Sequence, residues 1–301
     1  MNEGMDPILD VIVRTLADAP RAKLLLRALD SIQGPAGVPA RPIVVVNGDR
    51  ADPAVLAELA RRPGILAHRL QQASAGLARA AGRRLVTAPY FAYLDDDDEL
   101  IAGSLRAPLA WLAEHPDCDV LVNNGFFVSA DGTRKESTHI ARHVGDPVAS
   151  LLTECWLSPG ASLFRSAAIG IDVLDSNWSH QEWTHLAFEL CARHARVHFM
   201  DVATVLYHDT PGSMSKDGQQ LESELGLLRL VRRDTRFEPG VRAMAARKYL
   251  RTLHNQAISH WRQGRGVRAW QCHLGSMRPP NTLRYLLFSR KLLWPFGRHG
   301  A

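Results

Sequence analysis

An apolar run that stops dead in a block of acids constrains this chain more than any other feature. Phe91-Ala92-Tyr93-Leu94 reads as a buried strand, and Asp95-Asp96-Asp97-Asp98-Glu99 follows it without a break. Five like charges side by side repel one another. A stable fold must solvate them, pair them with basic residues or neutralise them with a cation. A bare acidic run is usually a solvated turn. Here a strand delivers the acids to one place, and in open α/β sheets ligands bind beyond the carboxyl ends of the strands. Carboxylates at such an edge suit Mg²⁺ or Mn²⁺, which take oxygen ligands and share them with substrate phosphates.

The chain before the acids predicts the sheet that would carry them. Residues 10–15, 42–46, 65–70 and 90–94 read as short strands. Between them, residues 21–32 place apolar side chains at helical period. Asp52-Pro53 opens a second helix, with an aspartate N-cap and a proline at its first position. Ser74 caps a third. Strand and helix in alternation predict a parallel sheet covered on both faces. The second half is less regular. It reads as a helix over 104–114, a strand at 120–122 and a hairpin over 126–134 turning at Asp131-Gly132. A strand or loop over 159–165, a helix over 179–194 and one or two strands within 197–207 follow. Beyond Gly212 the pattern is helical.

With 46% hydrophobic and 22% charged residues in 301, the composition is that of a globular protein. No apolar run reaches the roughly 20 residues that span a bilayer. The first residues lack the basic and apolar regions of a signal peptide. Cys118, Cys155, Cys191 and Cys272 are scattered, as expected of reduced thiols in a cytoplasmic protein. The net charge of +5 hides an asymmetry. Residues 226–301 hold 16 Lys and Arg against 2 Asp and Glu, which leaves 20 against 29 for residues 1–225. An acidic body with a basic C-terminal segment predicts a surface for something anionic.

Several strand-end segments, taken together, resemble the GT-A inverting glycosyltransferases of the family 2 type. Leu94-Asp95-Asp96-Asp97-Asp98 resembles their Asp-x-Asp motif. Val11-Ile12-Val13-Arg14-Thr15 stands where their first strand ends at the nucleobase, with Arg14 in place of the usual proline. Val44-Val45-Val46-Asn47-Gly48-Asp49 resembles their second strand, with Asn47 or Asp49 as the nucleoside contact. Gly76-Leu77-Ala78-Arg79-Ala80-Ala81-Gly82 resembles their Gly-x-x-x-Arg-Asn-x-Gly element, with Ala80 where asparagine is usual and one residue fewer between Gly76 and Arg79. An arginine there meets a diphosphate through several donors in fixed geometry. Gln181-Glu182-Trp183 resembles the Glu-Asp-Trp-like motif that carries the base. Tyr207-His208, followed by Gly212-Ser213-Met214-Ser215, resembles the closing loop.

The resemblance implies an α/β GT-A fold over residues 8–215: a Rossmann-like, mixed, mostly parallel sheet with helices on both faces. A basic helical region, 216–301, follows. It implies a nucleotide-diphospho-sugar donor, a UDP-sugar favoured, held by Thr15, Asn47, Asp49, Arg79, Asp95 and Asp96. Asp95 and Asp97 would hold Mn²⁺ or Mg²⁺, Asp96 being the alternative metal-side acid. His208 would serve as a third ligand or a diphosphate contact. Glu182 would be the base, with Asp172 and Asp175 as fallbacks. Trp156 and Trp183 would line the acceptor side. Some of these residues have a plainer reading. Ser179-x-x-Glu182 is also a capping box, and Trp156 could equally be core.

The implied reaction is sugar transfer to a hydroxyl of a glycan or lipid-linked acceptor, as in bacterial surface polysaccharide assembly. An anionic membrane surface is a candidate partner through residues 249–296, which interleave Arg and Lys with Leu, Tyr, Phe and Trp. That would put the protein at the inner face of the cytoplasmic membrane. Two other classes compete. A nucleotidyltransferase of the same fold would carry a Gly-rich basic loop after the first strand, where Leu16-Ala17-Asp18-Ala19-Pro20 stands instead. A non-catalytic nucleic-acid module would show a recognised motif in the basic segment. None is present, and nucleic acid is not an expected partner.

Overall fold

The computed structural model describes residues 6–34, 36–138, 140–174, 178, 180–210, 220–279 and 285–293. The chain divides into two compact units, Met1–Met214 and Ser215–Ala301.

The first unit is built on one sheet. Its strands are β1 (Leu9–Thr15), β2 (Ala40–Asn47), β3 (Leu66–Leu70), β4 (Tyr90–Asp95), β5 (Glu99–Leu100), β6 (Val120–Ser129), β7 (Gly132–Lys135), β8 (Ser162–Arg165) and β9 (Val197–His208). They lie in the order β3-β2-β1-β4-β8-β6-β9-β5, with β7 on β6. The strands β3, β2, β1 and β4 are mutually parallel. β8 then inserts antiparallel between β4 and β6, while β6 and β9 run parallel. The sheet is therefore mixed, with its regular parallel half built by the N-terminal repeats of strand and helix.

The helices of this unit are α1 (Ala22–Gln33), α2 (Pro53–Arg61), α3 (Ala75–Arg84), α4 (Arg106–Glu114), α5 (Arg142–Gly145), α6 (Pro147–Ser150), α7 (Ile171–Leu174) and α8 (Glu182–Ala192). The period-2 alternation of the strands sorts them. Val11, Val13, Val44, Val46, Ala92 and Leu94 share a core with Leu25 and Leu29 of α1, Val55 and Leu59 of α2, and Leu109 and Leu112 of α4. Ile12 and Val45 point the other way, onto α3. A Cβ added at Gly82 of α3 would sit 2.3 Å from Ile12 Cγ2, so only glycine lets that helix lie so close to the sheet.

Local signals explain the helix starts. Asp52 accepts the Ala54 N–H and Ser74 accepts the Leu77 N–H, each as N-cap. One local expectation needs correcting. Ser129 pairs with Gly132, so the hairpin turns on Ala130-Asp131, and Gly132, at φ +122°, already begins β7. Where one or two strands were expected within 197–207, there is the single twelve-residue strand β9.

The second unit is helical: α9 (Gln220–Val231), α10 (Pro239–Arg262), α11 (Gly266–Ser276) and α12 (Ser289–Leu293). Leu225, Leu228 and Val231 of α9 are buried, as are Ala245, Leu250 and Ala257 of α10. Lys248 pairs with Glu224 at 2.8 Å. Among the described residues, no helix is long and apolar enough to cross a membrane.

Candidate functional site

Three parallel strands end side by side at one edge of the sheet, β1 at Thr15, β2 at Asn47 and β4 at Asp95. The acidic run begins there, and arginines, hydroxyls and a backbone N–H contact its members. Thr15 Oγ1 donates to Asp96 Oδ2 at 2.5 Å. Arg21, ending the 3₁₀ turn before α1, reaches both Asp96 oxygens from Nε at 3.1 Å and lies 3.2 Å from Asp97. Arg27 of α1 donates to the Asp97 carbonyl at 2.6 Å and pairs with Glu99 at 3.1 Å. Thr210 Oγ1 donates to Asp97 Oδ2 at 2.6 Å, and the His208 N–H donates to Asp98 Oδ1 at 3.0 Å. Asp96 and Asp98 are buried.

Compensation is incomplete. Burial, reinforced by the neighbouring Asp95, pushes Asp98 up to about 8 against the pull of the His208 N–H. Partial burial raises Asp95 to about 6, opposed by Arg14 and assisted by Glu182, Asp97 and Asp96. At Asp95 and Asp98, burial and the neighbouring carboxylates outweigh the arginines.

Glu182 opens α8 and faces the same edge. Gln181 is the N-cap and makes no side-chain cap bond. That puts Glu182 at the first helical position instead of the third, which corrects the capping-box reading; Ser179 itself lies outside the described residues. The carboxylate turns to arginines. Arg14 Nη2 is 2.8 Å from Glu182 Oε1 and Nη1 is 3.1 Å from Oε2, while Nη2 also reaches Asp95 Oδ1 at 3.3 Å. Arg79 Nη1 lies 3.6 Å from Glu182 Oε2. Burial raises the Glu182 pKa, but the charge and hydrogen bonds of Arg14, with Arg79 behind, win and hold it below the usual glutamate value. Trp183, half-buried, meets Tyr93 edge-on at 5.3 Å and lies under the Arg14 guanidinium at 5.6 Å.

Other expected site residues sit differently. Arg79 is fully buried, with Nε on the Leu174 carbonyl at 2.9 Å; it supports Glu182 from beneath and does not line an open donor site. Trp156 is 5% exposed, its Nε1 donates to the Pro147 carbonyl at 3.0 Å and its ring packs on Phe199. It belongs to the core, which corrects the acceptor-side reading. Asn47 Oδ1 accepts the Ser74 N–H at 2.8 Å and so ties β2 to the start of α3. Asp49 is exposed just beyond. The His208 ring meets Glu99, with Nε2 2.7 Å from Oε1. Asp172 is exposed and pairs with Arg193. Asp175 and residues 212–215 of the closing loop lie outside the described residues.

Arg21, Arg27 and Glu136 belong to none of the sequence motifs. Electroneutrality was the available signal for the arginines, since five acids need bases and these two flank the first turns of α1. Nothing in the sequence marks Glu136. Burial pushes it up to about 7, against hydrogen bonds from Ser158 and Tyr207.

Among the described residues no group of three or more His, Cys, Asp or Glu could hold a metal on its own. The donor set fits a shared cation. Asp95 keeps 39% of its side chain open and Asp97 15%, and the raised pKa of Asp95 is what an added positive charge would reverse. Mg²⁺-type ions are usually held by one or two carboxylates plus substrate phosphates. Asp95 and Asp97 are the residues that would hold one here.

No protein-family model and no curated protein matches the sequence. Solved structures do match the fold. Residues 1–349 of S. aureus TarS in complex with UDP-GlcNAc match with a TM-score of 0.58 and 16% identity, over 82% of this chain and 71% of that one. A further crystal structure of the same TarS segment matches with a TM-score of 0.56 and 14% identity, over 94% and 84%. Its complex with UDP gives a TM-score of 0.52 and 14% identity, over 82% and 70%. At such identities the likeness is one of fold: this chain has the GT-A fold.

Proposed function

We propose that the protein is a glycosyltransferase that moves a sugar from a nucleotide-diphospho donor to a hydroxyl of a glycan or lipid-linked acceptor, with inversion. The observation that carries this reading is the Asp95–Arg14–Glu182 bridge at the carboxyl edge of β1 and β4. One guanidinium there joins the acidic run to a carboxylate on a helix start. A UDP-sugar is the favoured donor, a choice supported by the UDP-GlcNAc bound to S. aureus TarS.

In this reading the donor's nucleoside lies along Thr15, Asn47 and Asp49, with its diphosphate toward Asp95 and Asp97. Mn²⁺ or Mg²⁺, when bound with the donor, would offset the charge that builds on the leaving diphosphate. Glu182 accepts the proton of the acceptor hydroxyl. The acceptor oxygen forms its bond to the anomeric carbon from the opposite face as the bond to the diphosphate breaks, and the nucleoside diphosphate leaves with that electron pair. A carboxylate held by two guanidiniums is ionised at neutral pH but a weak base. An incoming diphosphate competes for Arg14, and Glu182 gains basicity as Arg14 turns away.

Incubation with UDP-GlcNAc and Mn²⁺ tests the reading, with release of UDP as the readout. Metal-dependent release, or a saturable rise in melting temperature with donor, supports it. If no nucleotide sugar of any base or sugar type is turned over or bound, the reading fails. An anionic membrane surface completes the proposal. It is supported by the basic C-terminal segment and by Leu286, Leu287 and Leu293, which are 52%, 71% and 73% exposed. Leu283, Arg284 and Trp294 of that stretch lie outside the described residues.

A further inference from the structure

The helical unit contains a groove of about 340 Å³ whose charged lining is all of one sign. Arg229, Arg232, Arg233 and Arg278 surround it, with Tyr249 and Leu253 among its walls and no acid in the lining. The arginines come from three places in the chain: the last turn of α9, the two residues just beyond it, and the segment that follows α11.

Part of this charge has an ordinary explanation. Cations gather at helix C-termini because each carries about half a negative charge. The ends of α9 and α11 together supply about one. Four guanidiniums exceed that by about three positive charges. Nearby acids do not make up the difference. Of the four acids described in this unit, Glu224 pairs with Lys248 at 2.8 Å and Asp234 with Arg236 at 2.7 Å, and among the described residues neither Glu222 nor Glu238 forms an ion pair with Arg229, Arg232, Arg233 or Arg278. Two of the arginines are also held in place. Arg232 lies over the Tyr249 ring at 4.3 Å, and Arg229 Nη2 donates to the Tyr249 hydroxyl at 3.4 Å. Arg232 Nε is buried and has no hydrogen-bond partner among the described residues. Like charges held together without a counter-ion repel, and the most direct relief is a bound anion.

We infer that this groove is a binding site for a phosphoryl anion carrying an organic group. Guanidinium forks match phosphate oxygens two at a time, which ammonium groups do not. The volume exceeds that of a bare phosphate, and the apolar wall of Tyr249 and Leu253 suits the group attached to it. The site lies within the helical unit and does not depend on the transfer reaction. Its phosphate can come from a soluble phosphoester or from a lipid headgroup.

The test uses the full chain in EDTA at constant ionic strength. Inorganic phosphate and glycerol phosphate form one arm, and vesicles of phosphatidylglycerol against phosphatidylcholine form the other. Amide hydrogen exchange over residues 227–234 and 273–278 reports the site locally, so anions bound at the acidic edge do not confuse it. Saturable protection in either arm is expected, weakened about tenfold or more in Arg232→Gln and reduced in Arg278→Gln. Arg278 is exposed, so that variant keeps the test valid should Arg232→Gln disturb folding. Arg247→Gln, which removes an exposed cation of α10 outside the groove, should bind as the parent does. Protection by free phosphates assigns a soluble ligand; protection by phosphatidylglycerol vesicles alone assigns a headgroup. The inference is overturned by no protection in either arm, by Arg232→Gln and Arg278→Gln variants that bind like the parent, or by equal loss in Arg247→Gln.

Discussion

Replacing Arg14 by glutamine should shift the acid limb of the pH–rate profile upward. In the parent chain, burial raises the Glu182 pKa while Arg14 and Arg79 lower it, and the arginines win. Arg14 is the closer partner, at 2.8 and 3.1 Å against 3.6 Å for Arg79. At an effective dielectric of about 20, unit charges near 4 Å interact by about 4 kcal/mol, or about 3 pKa units. The Arg14 and Glu182 side chains are 13% and 12% exposed. Residual solvent, and Arg79 remaining in place, reduce the effect to about 1–2 units. Without Arg14, burial becomes the dominant influence and Glu182 titrates at or above the ordinary glutamate value. A base works only when ionised, so the acid limb of kcat/KM for sugar transfer should move up by about 1–2 pH units. Arg14→Lys keeps the charge and should move the limb by less than about half a unit. The assay is UDP release from pH 4.5 to 9, with thermal melts at each pH to exclude unfolding. A limb unmoved in Arg14→Gln would refute the reasoning: either Glu182 is not the base, or Arg14 does not set its pKa.

Asp97→Ala should abolish Mn²⁺-dependent donor binding and turnover, with Asp95→Ala nearly as harmful; titration calorimetry with UDP and Mn²⁺ checks both, and parental rates in both would reduce the acidic run to a structural turn. Glu182→Gln should cut transfer by about 10²-fold or more while donor affinity survives, because the amide cannot take the acceptor proton. Gly82→Ala should lower stability by about 1–3 kcal/mol through overpacking against Ile12, read as a shift in denaturant midpoint; an unchanged midpoint would mean that α3 can move off the sheet at little cost.

The N-terminal half of the fold was legible because its signals are local. Pro53 after Asp52, Ser74 before α3 and the unbroken apolar run of β2 each fix an element without help from distant chain. The second half depends on pairing that no local pattern encodes: β8 slots antiparallel between β4 and β6, which are separated from it by dozens of residues. At the site, the sequence placed the acidic run at a strand end but could not orient its members. Four adjacent aspartates share one composition, and only the folded chain sends Asp96 to Arg21 and Thr15 and Asp98 to the His208 N–H. Arg79 shows the same limit from the other side. Its motif predicts a charged group, and burial decides that the charge faces Glu182 from within.

Glu136 is the residue least visible in the sequence, and its environment makes a pH-dependent prediction that does not depend on catalysis. Its pKa is pushed up to about 7 from 4.5, chiefly by burial. A carboxyl raised in the folded state binds more protons there than in the unfolded chain. Between about pH 4.5 and 7 its contribution to stability therefore falls as pH rises, and the penalty is fully present above pH 7. A shift of about 2.5 units corresponds to about 3 kcal/mol as an upper bound. Other carboxyls at the acidic edge shape the parent's pH dependence too, so the difference between Glu136→Gln and the parent is the quantity that isolates this group. Glutamine keeps the size and can still bond to Ser158 and Tyr207 without a charge to bury. The variant should match the parent within about 1 kcal/mol at pH 4.5 and exceed its stability by about 1–3 kcal/mol at pH 8, read from guanidinium unfolding followed by tryptophan fluorescence. A difference that stays flat across that range would mean that Glu136 is hydrated in the folded protein and that its carboxylate carries no burial penalty.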